Sequence, residues 1–413
     1  MKITSHEKKR LRELARKQLD YARLPVMRER ERLWYLHNDS RGERPMVVME
    51  EATFLNEILP PLECEDSGTR EIEKQLLQNI AVHELIGDDK VIPDAFYVYK
   101  SIDAVCLGQT QKITYAAEGL GYHIEPAIEE LEAGFEKLSP SIFEYCKERT
   151  EALADLAGET IGDILPVEYK NNYNHWAFGI TGKIVALMGM ENMFCEMAAS
   201  PRLFHKLMRL LTDDMIRCLR WEEENGLLLL NNANDYMGSG SYCFTRLLPQ
   251  PDFNGKARSI DTWGHLNSQE SVGVSPGMYR EFIYPYYAEI AGQFGRLYYG
   301  CCEPVHEYWD NCIQLLPNIK KISISAWCDE RFMSERLQGS GVIYSRKPFP
   351  NYIGVEKELD EAAFSSHIKA TACLIKDFNA EFIFRDIYKL NGSIEKVRRA
   401  VEITRNLTEN AYC

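Results

Sequence analysis

The sequence lacks any apolar run long enough to cross a bilayer, and its fully aliphatic stretch Leu227–Leu230 is far too short. It also lacks an excess of positive charge, because the formal net charge is −14 over 413 residues. Nucleic-acid partners favour a basic face, so this balance argues against them. No segment is of low complexity, and no unit of about 20–50 residues repeats. These absences predict a soluble protein with neither a nucleic-acid nor a membrane partner.

The cysteines do not form the pattern of a disulfide scaffold. There are twelve, they are scattered, and Cys146, Cys195 and Cys218 lie inside helical patterns. No hydrophobic segment typical of a secretory signal precedes them. We therefore expect free thiols in a reducing compartment, and a cytoplasmic location.

Helical patterns alternate along the chain with short apolar runs. Residues 67–86 have helical periodicity, and the pairs Ser139-Pro140, Ser200-Pro201 and Ser275-Pro276 each supply an N-cap serine and a first-turn proline. Residues 227–231, 296–300, 320–325 and 381–384 are predicted to be neighbouring parallel strands.

Polar or reactive residues follow these predicted strands: Asp235, Cys301, Cys302, Cys328, Asp329, Arg385 and Asp386. In a βα barrel such strand ends gather at one face, where the active site lies. No GxGxxG sequence follows a strand, which disfavours a doubly wound sheet. The pattern predicts an α/β protein, a single (β/α)8 TIM barrel over residues 1–413 with a helical extension over residues 1–30.

The segment Tyr298–Pro304 places two consecutive cysteines and a glutamate after a β-prone run. A thiolate beside a carboxylate is typical of a zinc site or an activated nucleophile, although most free cysteines are simply buried. Neighbouring strand residues point to opposite faces, so only one of these thiols is expected to face the barrel mouth.

The segment Val274–Pro285 followed by Tyr298–Pro304 resembles the uroporphyrinogen decarboxylase superfamily. The same likeness is seen from Ile92-Pro-Asp94 to Leu107-Gly108 and onward from Asp163-Ile-Leu-Pro166, and it covers roughly residues 25 to 405. It is closest in kind to the corrinoid-dependent methyltransferase branch. The resemblance implies a (β/α)8 barrel.

The family has two well-known activities. One decarboxylates the acetate arms of a porphyrinogen without a cofactor, and the other transfers methyl groups with a corrinoid and a zinc-bound thiolate. Where the methyltransferase branch has His-x-Cys-Gly, this chain has Tyr299-Gly300-Cys301-Cys302, and Arg385-Asp386 replaces a later cysteine. The resemblance implies that Cys301 is the thiol that faces the barrel mouth, and that Cys302 is packed away from it or at most lies behind the ligands. The decarboxylases bind substrate carboxylates with an arginine-rich loop near the first strand. The corresponding loop here, Asp39–Pro45, has two arginines but lacks the decarboxylase pattern. The chain is therefore described as a divergent member.

The resemblance and the strand ends together give a set of candidate site residues. The candidate zinc ligands are His265, placed on a loop after a strand, together with Cys301, Glu303 and Cys328. The candidate catalytic residues are Asp235, Asp329, Arg385 and Asp386, with Arg385 as a clamp for a substrate carboxylate. The candidate substrate-binding residues are Asp94, His175, Trp176 and Tyr236. Salt bridges at the barrel rim, helix capping and thiol packing are the structural alternatives for these residues.

The hypothesis for function is methyl transfer between a small methylated substrate and a separate corrinoid protein, assisted by zinc. The corrinoid is expected on a partner because no Asp-x-His-x-x-Gly sequence is present. A cofactor-free decarboxylase or lyase on an acidic, porphyrinogen-like substrate is one alternative. A non-catalytic corrinoid or tetrapyrrole binding protein is the other. The oligomeric state stays open, with a homodimer as one candidate.

Overall fold

The computed structural model describes residues 3–115, 121–171 and 179–412. They form a mixed α/β fold built on a six-stranded parallel sheet, in the order β1-β14-β13-β12-β11-β10. These strands are β1 Met46–Met49, β10 Trp263–Leu266, β11 Arg296–Tyr299, β12 Ile319–Ile324, β13 Ile343–Arg346 and β14 Ala380–Phe384. From β10 to β14, each strand pairs in parallel with the strand that follows it in the sequence. The carboxyl ends of these strands therefore lie at the same edge of the sheet.

Smaller sheets accompany the large one. A parallel pair joins β2 Phe96–Tyr99 to β7 Val167–Lys170. Antiparallel pairs join β3 Ile102–Val105 to β6 Ile142–Tyr145, β4 Lys112–Tyr115 to β5 Tyr122–Glu125, and β8 Tyr236–Gly238 to β9 Ser241–Tyr242. Within the described ranges, no strand pairing joins the β2–β7 pair to the six-stranded sheet.

Helices connect and cover the strands. They are α1 Ser5–Ala22, α2 Pro25–Asn38, α3 Leu55–Ile58, α4 Ser67–Ala81, α5 Leu131–Gly134, α6 Lys147–Ile161, α7 Ile180–Met188, α8 Met190–Ala199, α9 Pro201–Glu224, α10 Pro276–Phe282, α11 Tyr284–Ala291, α12 Glu330–Leu337, α13 Asn351–Gly354, α14 Glu361–Leu374 and α15 Glu395–Tyr412. No helix of the described chain combines the length and the apolarity that a bilayer crossing requires.

The core lies between the sheet and these helices. All residues of β1, β10, β11, β13 and β14 are buried, as expected of a parallel sheet covered on both faces. The amino-terminal region is two helices, and α1 packs Leu11 and Leu14 against Leu76 and Ile80 of α4 in a second core.

Several sequence-based predictions are confirmed. Residues 67–86 are helical, with a π-helical turn over Val82–Ile86, and α9 begins at Pro201. The helix after Ser275 is interrupted at Ile283, because Pro285 cannot donate a backbone hydrogen bond there. The helix start predicted at Ser139-Pro140 is wrong, because the segment that follows forms β6.

The predicted strand over residues 227–231 is also wrong. This segment pairs with no other strand. Asparagine side chains instead form hydrogen bonds with its backbone and with the backbone of β10. The Asn171 amide donates to Leu229 O and accepts from Leu229 N, both at 2.8 Å. The Asn231 amide does the same for Trp263, at 3.0 and 2.9 Å. These two side chains therefore bond to backbone N–H and C=O groups that would otherwise pair with a neighbouring strand.

Candidate functional site

The candidate site lies where the carboxyl ends of β1, β11 and β14 meet. Glu50 follows β1, Gly300 to Glu303 follow β11, and Arg385 follows β14. The turn between β8 and β9 brings Ser239 to the same place, since Ser239 Oγ donates to Gly300 O at 3.3 Å. The strand order of the sheet therefore assembles residues that are far apart in the sequence.

Two thiols and a guanidinium form the centre of the site. Arg385 Nη1 donates to Cys301 Sγ at 3.1 Å and to Ser239 Oγ at 2.8 Å. Cys302 Sγ lies 3.5 Å from Cys301 Sγ and 3.4 Å from Asp386 Oδ2. Cys301 and Cys302 therefore have unlike surroundings, with a cation beside the first thiol and a carboxylate beside the second.

These contacts change the acidity of the two thiols in opposite directions. The hydrogen bond from Cys302, the charge of Arg385 and the hydroxyl of Ser239 lower the pKa of Cys301 to about 6, against the opposing effect of burial. The bond to the Cys301 thiolate, together with burial, raises the pKa of Cys302. A thiolate is the reactive form of cysteine, and Cys301 is the thiol of the pair that ionises more readily.

The prediction that strand alternation points the Cys301 and Cys302 side chains to opposite faces is wrong, since their sulfur atoms are in contact. β11 ends at Tyr299, and Cys301 and Cys302 lie in a bend after it, where the alternation of side chains along a strand does not apply. Both thiols consequently lie on one side and touch each other. Cys301 is buried and Cys302 is partly exposed.

The backbone is unusual on both sides of the thiol pair. Ser239 has φ 47° and Asp386 has φ 59°, and each of these residues contributes a side-chain contact to the cluster. A positive φ is uncommon for residues other than glycine and persists only where surrounding contacts hold it. Such strain often marks a functional site, which agrees with the chemistry of this cluster.

A cavity of about 590 Å³ lies beside the thiol cluster. Glu50 joins the two, since its side chain lines the cavity, lies 3.3 Å from Arg385 Nε and accepts a hydrogen bond from Tyr236 Oη at 2.5 Å. Other lining side chains include Glu51, Lys90, Tyr97, Tyr99 and Tyr242. The space is large enough for a small organic substrate, and its lining combines aromatic rings with charged groups.

The four candidate zinc ligands do not come together as one ligand set. His265 lies within β10, not on a loop, and its Nε2 is 3.2 Å from Gly300 O. Glu303 accepts from the backbone N–H of Cys301 at 2.8 Å and of Ser268 at 2.9 Å, one with each oxygen. Cys328 Sγ lies 3.8 Å from the Glu303 carbonyl oxygen. Among the described residues, no group of three or more His, Cys, Asp and Glu side chains is arranged to hold a metal ion.

The remaining candidate residues lie in different settings. Asp235 is buried and pairs with Lys170 at 3.1 Å, and burial raises its pKa. Asp329 accepts a hydrogen bond from Phe332 N at 2.9 Å and so caps α12. Helix capping is one of the structural alternatives to a catalytic role. Asp94 is exposed. The predicted binding residues His175 and Trp176 lie outside the described residues.

A buried polar network lies deeper in the sheet. Lys347 Nζ donates to Ser345 Oγ at 2.6 Å and to the hydroxyl of Tyr298. Ser345 Oγ in turn donates to Glu381 Oε1 at 2.6 Å, and Glu381 Oε2 accepts from Lys321 at 2.9 Å. Burial lowers the pKa of Lys347 to about 7, despite the carboxylate of Glu381 nearby.

Sequence reasoning missed Ser239, Glu50 and Lys347 as parts of this region. The glycines on both sides of Ser239 are the one local signal of an unusual turn, and Glu50 comes directly after the apolar run that forms β1. Lys347 carries no signal in the sequence, because its partners come from other strands.

Comparisons with known proteins give limited information. No family model matches the chain, and no curated protein matches it. One solved structure to which the chain is similar is a methyltransferase from Methanosarcina mazei, at 11% identity and a TM-score of 0.49. The match covers 91% of this chain and 98% of that chain. At this level of similarity the likeness does not assign a function.

Proposed function

We propose that this protein is a methyltransferase in which the Cys301 thiolate is the attacking group. The observation that carries the proposal is the contact of Cys301 Sγ with Arg385 Nη1 at 3.1 Å, beside a cavity of about 590 Å³. A guanidinium next to a buried sulfur favours the anion, and a thiolate is a strong nucleophile toward a methyl carbon.

The reaction would proceed by displacement at the methyl carbon. The Cys301 sulfur attacks that carbon, and the bond from the methyl group to the substrate oxygen, nitrogen or sulfur breaks. The leaving atom takes the electron pair of that bond and a proton from water. In the second step a nucleophile on the partner takes the methyl group, and Arg385 and Ser239 stabilise the Cys301 thiolate as it leaves.

The wider hypothesis includes a separate corrinoid protein as that partner. It also includes a closed (β/α)8 barrel of the uroporphyrinogen decarboxylase type, in which the β2–β7 pair completes the ring of strands. Zinc stays a prediction, and no step above passes through a metal. The contacts of Arg385 favour methyl transfer over a lyase, since Cys301, Ser239 and Glu50 already engage its guanidinium in place of a substrate carboxylate.

Turnover with small methylated probes tests the proposal. Methanol, trimethylamine, dimethyl sulfide and a methoxybenzoate would each be mixed with the protein and free reduced cobalamin, and the visible spectrum followed. We expect methylation of the cobalamin with at least one probe, and its loss in Cys301→Ala. The matched control is Cys312→Ala, a buried thiol away from the cluster, which should keep the activity.

Three other results would separate the alternatives. Decarboxylation of a porphyrinogen without methyl transfer would favour the lyase. Binding of cobalamin with no turnover for any probe would favour the binding protein. Metal analysis showing about one zinc per chain, lost in Cys301→Ser, would support the zinc hypothesis, since zinc sites are built on thiolates.

A further inference from the structure

Cys301 and Cys302 form a contact that two consecutive cysteines cannot make in a regular strand. Their sulfur atoms are 3.5 Å apart, because both residues lie in a bend after β11 and not in the strand itself. A disulfide bond is about 2.05 Å long, so a relative movement of about 1.5 Å would join the two sulfurs. The separation of the two sulfurs is therefore short enough for movement within this bend to join them.

The surroundings of the pair assign different roles to the two thiols. Arg385 Nη1 lies 3.1 Å from Cys301 Sγ, so this sulfur is the one on which negative charge is stabilised. Cys302 Sγ lies 3.4 Å from Asp386 Oδ2 and 3.5 Å from Cys301 Sγ, so its one proton has an acceptor on either side. Cys302 is also partly exposed, which lets a molecule about the size of water reach the pair. A nucleophilic thiol with a protonated thiol in contact is the arrangement of an attacking and a resolving cysteine.

We propose that Cys301 and Cys302 are an oxidative modification site, at which a hydroperoxide converts the two thiols into a disulfide between consecutive residues. The Cys301 sulfur attacks one peroxide oxygen, the O–O bond breaks, and the second oxygen leaves as hydroxide or alkoxide. Cys301 is then a sulfenic acid. The Cys302 sulfur attacks the Cys301 sulfur, the S–O bond breaks, and the hydroxyl group leaves with the Cys302 proton as water. The peroxide is reduced by two electrons, and the two thiols are oxidised by two.

The modification is reversible and acts on the site itself. Consecutive Cα atoms are about 3.8 Å apart, which is shorter than the separation of about 4.4–6.8 Å in most disulfides. The resulting strain favours exchange with a dithiol reductant. While the disulfide is present, Arg385 and Ser239 face no thiolate, so any chemistry that needs Cys301 as a nucleophile stops.

Mass spectrometry of the full-length protein tests this inference without any assay of activity. The protein would be treated with one equivalent of hydrogen peroxide, unfolded in iodoacetamide and digested with trypsin, which releases residues 297–320. This peptide also contains Cys312, so the experiment uses Cys312→Ser as its background. We expect a peptide that is lighter by two hydrogens and carries no alkyl group. Dithiothreitol added before the iodoacetamide should restore both alkylation sites.

Adding Cys302→Ser to this background provides the matched test of the resolving role. It should form no disulfide within the peptide and should instead gain oxygen at Cys301, and Cys302→Ala serves the same purpose if the serine variant does not fold. Cys328→Ser, which changes a thiol outside the pair, should leave the disulfide unchanged. A parent peptide that stays fully alkylated after peroxide treatment, or that gains oxygen without losing two hydrogens, would overturn the proposal.

Discussion

The buried amine of Lys347 gives a prediction whose size can be worked out from the structure. Its side chain is 4% exposed, and its Nζ is held by Ser345 and Tyr298. Burial lowers its pKa from the ordinary value of 10.5 to about 7. Between those two values the folded protein binds fewer protons at this group than the unfolded chain does. The free energy of unfolding contributed by Lys347 must therefore rise with pH across this window.

The expected gain is about 2 kcal/mol between about pH 7 and about pH 9. It follows from proton linkage with a folded pKa of about 7 and an unfolded pKa of 10.5. The range stops near pH 9 because the buried tyrosines have raised pKa values and would reverse the trend at higher pH. Lys347→Met has no amine to titrate, so it should lack this gain.

Urea denaturation at several pH values measures the effect. The useful quantity is the difference between the wild-type protein and Lys347→Met at each pH, because other titrating groups then cancel. Lys369→Met replaces an exposed lysine and should keep the wild-type slope. Equal slopes for the wild type and Lys347→Met would refute the lowered pKa of Lys347.

Three further predictions concern the candidate site. Glu303→Gln should lower the free energy of unfolding by about 1–3 kcal/mol in urea denaturation, because its amide N–H₂ would face one of two backbone donors; an unchanged value would contradict these bonds. Gly300→Ala should lower the free energy of unfolding by about 1–3 kcal/mol, because Gly300 has a φ of +97° and the added Cβ would lie 3.0 Å from the Ser323 side chain. Gly339→Ala should lower it less, because Gly339 also has a positive φ but has open space around it. Cys302→Ala should cost at most about 1–2 kcal/mol and keep most methyl transfer, and loss of turnover with the fold intact would make Cys302 a participant in the reaction.

The sequence predicted much of the sheet, for clear physical reasons. Residues 296–300, 320–325 and 381–384 correspond to parallel strands, because their apolar character reflects burial on both faces. Residues 227–231 have the same character but form no strand, since Asn171 and Asn231 replace the ladder there. A hydrophobic pattern reports burial, and it does not report which groups complete the hydrogen bonds.

The candidate site was predicted only in part. The strand ends indicated Cys301 and Arg385 separately, but their contact depends on strand order, which spacing does not encode. The alternation rule failed for Cys302 because β11 ends at Tyr299, so that Cys301 and Cys302 lie in a bend and not in a strand. Ser239 was missed, since its position depends on a turn between two very short strands.

Isotope-labelled methyl donor provides the most direct test of the central claim, that the Cys301 thiolate accepts a methyl group. The protein would be incubated without any acceptor, with the probe that supports turnover carrying a labelled methyl group, and residues 297–320 would be sequenced by mass spectrometry. The account predicts one labelled methyl group on Cys301, absent from Arg385→Gln, which lacks the cation beside the sulfur. Turnover with that probe while Cys301 stays unmodified would contradict it.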